Sequence, residues 1–154
     1  AEPDTASSIT SVDGVSLIQE FEGCSLKAYP DPGTGGDPWT IGYGHTGNDV
    51  IPGAVITQER ANQLLTEDLH RFERSVRSII KVPLTQHEFD AIVSFTFNVG
   101  EGALSSSTFT RRMNAGEDKA TCFQEEFPKW VNGGNGPLPG LVRRRDAEVE
   151  LALS

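Results

Sequence analysis

Two short segments carry the residues with chemistry in them: Phe21-Glu22-Gly23-Cys24-Ser25-Leu26-Lys27-Ala28-Tyr29-Pro30-Asp31 and Trp39-Thr40-Ile41-Gly42-Tyr43-Gly44-His45. They place a glutamate, an aspartate and a threonine around a turn-rich stretch. Cleavage of a glycosidic bond needs one carboxyl group to protonate the leaving oxygen and a second to activate water or stabilise the oxocarbenium-like centre. Glu22 and Asp31 are the candidates for these roles. Thr40 carries a hydroxyl that both donates and accepts, which suits it to hold an attacking water.

The elements around these residues follow from local pattern. Asp13 is placed to cap a helix with Val15, Leu17, Ile18 and Phe21 on one face, and Gly23 is a natural stop. Glu22 is therefore expected on the last turn of a short helix, where the helix dipole favours a carboxyl that keeps its proton. Residues 26–31 and 39–43 read as extended, joined by the loop Pro32-Gly33-Thr34-Gly35-Gly36-Asp37-Pro38. Thr57 opens a long periodic segment through Ile80, with Leu64, Leu65, Leu69, Phe72 and Val76 on its apolar side, long enough to join two lobes. Thr85 and Glu88 form a capping box before the apolar run from Phe89 to Phe97, which Gly100 and Gly102 should end. Short helices are expected near 107–115 and 117–126, a loop at Gly133-Gly134-Asn135-Gly136-Pro137, and a final helix near 140–153.

Bulk properties narrow the class. A chain of 154 residues buries enough surface for one well-cored domain. The reading is a lead over residues 1–10 and one catalytic domain over 11–154. Ala1 to Ser8 has neither an initiator Met nor an apolar targeting stretch, which predicts an end produced by processing or trimming. A formal charge of −9 argues against nucleic acid as partner, because such binders need a basic face. No apolar stretch approaches the ~18 residues of a membrane span. Cys24 and Cys122 are too few for a disulfide scaffold and leave one bridge or two free thiols open.

Other groups read as structural. Gly42-Tyr43-Gly44-His45-Thr46-Gly47 matches the dinucleotide pattern, yet Asn48-Asp49 and Pro52-Gly53 follow where a helix must open, so the match is accidental. His45 is expected to be ion-paired rather than catalytic. His87-Glu88 lacks the second histidine of a zinc-protease helix, and no metal site or cofactor is expected. Trp39 and Trp130 are assigned to packing. The run Arg143-Arg144-Arg145 is expected as a solvated charged face, with Arg144 as the one that turns inward towards Glu22.

Four blocks in order give the chain a family likeness: Glu-Gly-x-x-Leu-x-Ala-Tyr-x-Asp at 22–31, Trp-Thr-Ile-Gly-Tyr-Gly-His-Thr at 39–46, Phe89 to Gly100, and Leu138-Pro139-Gly140-Leu141-Val142-Arg143-Arg144-Arg145. Together they resemble a phage-type lysozyme, an endolysin muramidase, from about Val12 to the C-terminus. The resemblance implies an α+β, mostly helical, two-lobed lysozyme-like fold: a small β-hairpin lobe, a long connecting helix and a helical C-terminal lobe, with substrate lying between the lobes. It implies hydrolysis of the β-1,4 bond between N-acetylmuramic acid and N-acetylglucosamine in bacterial peptidoglycan, by a monomer acting at the host cell wall or periplasm. It makes Glu22 the general acid, Asp31 the general base and Thr40 the residue that places water, with Gly42, Gly44, Phe97 and Asn98 against the sugar chain. An acid and a base separated by a water predict inversion and a carboxyl separation of roughly 6.5–9.5 Å. A lytic transglycosylase, which needs one carboxyl only, and a non-catalytic wall-binding module are the rival readings.

Overall fold

The computed structural model describes residues 9–133 and 135–154; most of the expected lead at residues 1–10 lies outside them. The described chain forms two compact units, one built from the residues up to Ile18 together with Arg71–Ser154, the other from Gln19–His70. Helices dominate and the sheets are small and antiparallel, the mostly helical α+β class expected.

In the Gln19–His70 unit, helix α1 (Val12–Glu22) supplies its last turn and ends at Gly23, whose φ of 70° suits a helix stop. Strands β1 (Ser25–Tyr29), β2 (Thr40–Gly42) and β3 (His45–Thr46) pair in chain order as one antiparallel sheet. Ala28, Ile41, Val50 and Leu64 form its core, with Trp39, Ala54 and Ile56 packed against them. Trp39 is thus a packing residue. Helix α2 (Gln58–Ile79) begins where expected, and the Thr57 hydroxyl accepts the Arg60 N–H at 3.0 Å to cap it. Its residues up to His70 belong to this unit and the rest to the other.

The larger unit is built on helix α3 (Gln86–Val99), in which every residue from Glu88 to Thr96 is buried. Both bonds of its capping box form: the Glu88 N–H donates to the Thr85 hydroxyl at 3.1 Å, and the Thr85 N–H donates to the Glu88 carboxylate at 2.8 Å. Phe95 stacks on Phe127 with ring centroids 4.4 Å apart, and Phe109 and Phe123 close the aromatic cluster around Phe127. Such pairs contribute about 0.5–1.5 kcal/mol each beyond their burial. Trp130 meets the Phe95 ring edge-on at 5.5 Å, again a packing role.

Several boundaries differ from expectation. α1 starts at Val12, so Asp13 sits in its first turn rather than at its cap. The Ser11 N–H instead donates to the buried Asp90 carboxylate at 3.0 Å, and the Ser11 hydroxyl bonds the same group. Thr10 donates its N–H and its hydroxyl to Glu73 at 2.8 and 2.7 Å. Carboxylates far along the chain do the capping, and Asp13 turns outward to meet His87 Nε2 at 3.0 Å. Gly100 ends α3, but Gly102 lies inside a further helix, α4 (Glu101–Ser106), whose Leu104 is buried. Helices α5 (Thr108–Asn114) and α6 (Lys119–Glu126) follow, and Ser107 caps the first of them by accepting the Thr110 N–H at 3.0 Å. The expected loop at 133–137 contains two-residue strands, β4 (Asn132–Gly133) and β5 (Gly136–Pro137), which pair before α7 (Pro139–Leu153).

Of the run of three arginines only Arg143 is exposed. Arg144 and Arg145 are buried together with Glu148, all on α7. The Arg145 Nε lies 2.8 Å from Glu148 Oε1, the Arg144 Nε lies 3.3 Å from Oε2, and the Ser94 hydroxyl donates to Oε2 at 2.6 Å. Arg144 also donates to the Ser94 carbonyl at 3.1 Å, tying α7 to α3. Burial pushes the Glu148 carboxyl up from its ordinary range, and the two guanidinium groups and the Ser94 hydroxyl pull against it. The same burial pulls Arg145 down. Both cysteines are free, Cys24 exposed and Cys122 buried, so the bridge left open by the sequence does not form. Burial raises the Cys122 thiol above its ordinary value, which keeps it protonated and inert.

Two predictions follow from these polar contacts. Glu148→Gln leaves two buried guanidinium groups without their carboxylate and should cost about 3–5 kcal/mol, seen as a fall in Tm of roughly 10 °C; an unchanged Tm would remove Glu148 from the core account. The second concerns His45, whose Nδ1 lies 2.8 Å from Asp68 and whose Nε2 lies 3.0 Å from Asp49. Burial alone would lower the ring, but the hydrogen bonds to Asp68 and Asp49 outweigh it and leave the imidazole above its ordinary value. Its contribution is therefore complete below about pH 6.5 and is lost as pH rises through the folded-state value. Hydrogen bonding to His45 holds Asp49 low, so that part persists above about pH 4 and is lost as pH falls further. His45→Gln should lower stability by about 1 kcal/mol at pH 5.5 and by much less at pH 9. Thermal melts at the two pH values check this, and an equal loss at both would contradict it.

Candidate active site

Glu22, Asp31, Thr40, Gly42 and Gly44 all belong to the Gln19–His70 unit, whereas Phe97 and Asn98 belong to the other.

Glu22 is the last residue of α1, half-buried, and its carboxylate faces the turn after β2: Oε1 lies 3.5 Å from where a β-carbon would stand on Gly44. Gly44 has φ of 81° and is exposed. A side chain there would strain the backbone, so the positive φ sets the requirement for glycine beside the carboxylate. Gly42 meets the same requirement. It is buried with φ of 65°, and a β-carbon on it would lie 3.6 Å from the Ala61 Cα and 3.7 Å from Ile56. That is ordinary packing distance, so the positive φ sets the requirement, in a position that seats β2 against the start of α2.

Asp31 lies two residues beyond β1 and is fixed by the loop that follows. Its Oδ2 accepts the N–H groups of Gly33 at 3.0 Å and Thr34 at 3.1 Å. Its own N–H donates to the Gly36 carbonyl at 2.9 Å, and its carbonyl accepts from Gly35 at 2.8 Å. The turn-capping job and a catalytic job are compatible here, because only Oδ2 is engaged. Oδ1 has no hydrogen-bond partner among the described residues and is available to a proton or a water.

Thr40 opens β2 and pairs across the sheet with Tyr29, which stands two residues before Asp31. The same pairing that fixes the strand register therefore holds Thr40 and the Asp31 loop on one hairpin. Among the described residues the hydroxyl reaches only the Pro38 carbonyl, at 3.5 Å, too long to hold it. Below the hairpin, Gln58 donates to the Tyr43 hydroxyl at 3.0 Å and to Asn62 at 2.9 Å, and His45 is clamped between Asp49 and Asp68. His45 is thus ion-paired as expected. Asp68, on α2, gave no sequence signal, since its pairing with His45 spans 23 positions.

In the other unit Phe97 is half-buried, its ring edge-on to Phe72 at 5.1 Å. Asn98 is exposed on the last turn of α3, and its side-chain carbonyl accepts from Arg145 Nη2 at 2.8 Å. Arg145 was not among the residues expected to bear on the site; a nonlocal contact 47 positions long leaves no local pattern to read.

These positions can be set beside known proteins. The phage lysozyme family model matches residues 19–148. The endolysin of Bacillus phage B103 is 45% identical over 141 residues, 92% of this chain, which spans about half of that protein's length, 52%. Among solved structures, the muramidase domain of SpmX from Asticaccaulis excentricus superposes with a TM-score of 0.83 at 40% identity, covering 94% of this chain and 97% of that one. A mutant of P22 lysozyme superposes with a TM-score of 0.81 at 38% identity, covering 95% and 99%. With a glutamate at a helix end, an aspartate in the following hairpin and a threonine on its return strand, and with this match over most of its length, the chain belongs to the phage lysozyme family.

Proposed function

We propose that this member of the phage lysozyme family is a glycoside hydrolase, a muramidase cleaving the β-1,4 bond between N-acetylmuramic acid and N-acetylglucosamine in bacterial peptidoglycan. Glu22 is the general acid, Asp31 the general base and Thr40 the residue that holds the water. The observation that carries this reading is the arrangement on one hairpin and one helix end. The Glu22 carboxylate lies beside Gly44, while Asp31 is pinned through one oxygen and its other oxygen is unengaged among the described residues. In the reaction the Glu22 carboxyl delivers its proton to the glycosidic oxygen as that bond breaks. Asp31 takes a proton from the attacking water, and the Thr40 hydroxyl orients that water. A general acid and base of this kind are each worth about 10²–10⁴ in rate. Gly44 lets the glycan approach the backbone, and Phe97 and Asn98 contact sugar units. The site of action is the host cell wall; among the described residues no helix is long and apolar enough to cross a membrane.

Mass spectrometry of the sugars released from purified peptidoglycan tests the reading. Wild type should release products with reducing-end muramic acid, and Glu22→Gln, which keeps the shape and removes the proton, should lower the rate at least about 10²-fold with Tm unchanged. Asp31→Asn should do the same. Anhydro-muramic products would make the chain a transglycosylase. The absence of soluble product from folded wild type would make it a wall-binding module.

A further inference from the structure

Asn98 is exposed, yet the group that fixes it is not. Its side-chain oxygen is bonded to Arg145, which is completely buried. A guanidinium has only donors, so the atom of Asn98 that meets it must be the carbonyl oxygen, and the amide nitrogen must point away. The Asn98 Nδ2 makes no hydrogen bond among the described residues, so both of its N–H groups remain for a ligand. Arg145 cannot let go easily. Its guanidinium lies 4.9 Å from the centre of the Phe95 ring, and Nη2 donates to Glu148 Oε2 at 3.2 Å while Nε faces Oε1 at 2.8 Å. Because Glu148 is also held by Ser94 and Arg144, the carbonyl of Asn98 is clamped by a network buried between α3 and α7. An asparagine on an ordinary surface turns freely and offers donor or acceptor alike. This one presents a fixed pair of donors, next in sequence to the half-buried ring of Phe97.

We propose that Arg145 is a positioning residue that fixes the Asn98 amide as a hydrogen-bond donor to the acetamido carbonyl oxygen of an N-acetylhexosamine unit. An acetamido group offers a strong carbonyl acceptor, and a fixed N–H donor selects it over unmodified sugars, whose hydroxyls are satisfied equally well by a turning amide or by water. This rests on the proposed contact of Asn98 with the glycan and assigns to Arg145 the setting of its polarity.

The test uses the full chain with soluble peptidoglycan strands as substrate and tri-N-acetylglucosamine as a binding probe. Asn98→Asp keeps the oxygens that satisfy Arg145 and removes the donors. It should raise KM about tenfold with kcat within about threefold and with Tm retained. Arg145→Lys, assayed below its own Tm, should raise KM similarly, and the double variant should add little, since both changes remove one interaction. In wild type the Asn98 side-chain amide should be as rigid in nitrogen relaxation as the α3 backbone, and its protons should shift with the trisaccharide. That readout decides the case if Arg145→Lys fails to fold: a freely turning amide, or signals that do not move, would overturn the proposal. A folded Arg145→Lys with wild-type KM beside an impaired Asn98→Asp would also overturn it, while leaving Asn98 as a substrate contact. An unchanged KM in Asn98→Asp would overturn both the proposal and that contact, yet loss of activity in Glu22→Gln would still uphold the muramidase reading.

Discussion

The larger unit is organised around a charge that water cannot reach. Glu148 is fully buried, and a lone carboxylate there would be prohibitively costly. Two arginines from its own helix and a serine from α3 make the position tolerable. Because those partners must converge, α7 has one register against α3, and the aromatic cluster of Phe95, Phe109, Phe123 and Phe127 packs around that choice. An apolar core of the same volume would have been no less stable in principle, but would have left Asn98 without its anchor. The network stabilises little by itself and specifies a great deal.

The smaller unit uses the same device in weaker form. His45 offers a donor to each of two carboxylates, one four residues on and one on α2, and so ties the hairpin to the helix. Its partners are partly exposed and contribute less than the Glu148 group does. Positioning in this unit relies more on backbone: the register of β1 against β2 carries Asp31 and Thr40 together, and the N–H groups of the following loop hold Asp31 through one oxygen.

What was legible in the sequence was local. The Thr85 and Glu88 capping box, the stop at Gly23, the cap at Thr57 and the two main strands follow from residues within four positions of one another, and all are present. The Asp13 cap failed because Asp90, 79 positions from Ser11, supplies the acceptor instead. Arg145 looked solvated, and Arg144 gave no sign of its partner, because their spacing to Glu148, visible as i+3 and i+4, is as common on surfaces as in cores. Only the fold of α7 onto α3 separates the two. The β4 and β5 strands are two residues each, too short for alternation to register. Glu22, Asp31 and Thr40 stand out as candidates because they lie on one contiguous hairpin and the helix before it, while Asp68 and Arg145, which hold His45 and Asn98, come from distant segments.

If Glu22 and Asp31 act as acid and base with a water between them, rather than as acid and nucleophile, the configuration of the product is inverted. Proton NMR of the first product formed from a soluble N-acetylated glycan, recorded before mutarotation, tests this most directly. Attack by water on the face opposite the leaving group should give the α-anomer first. Initial formation of the β-anomer would require a covalent or otherwise retaining route and would contradict the role given to Asp31.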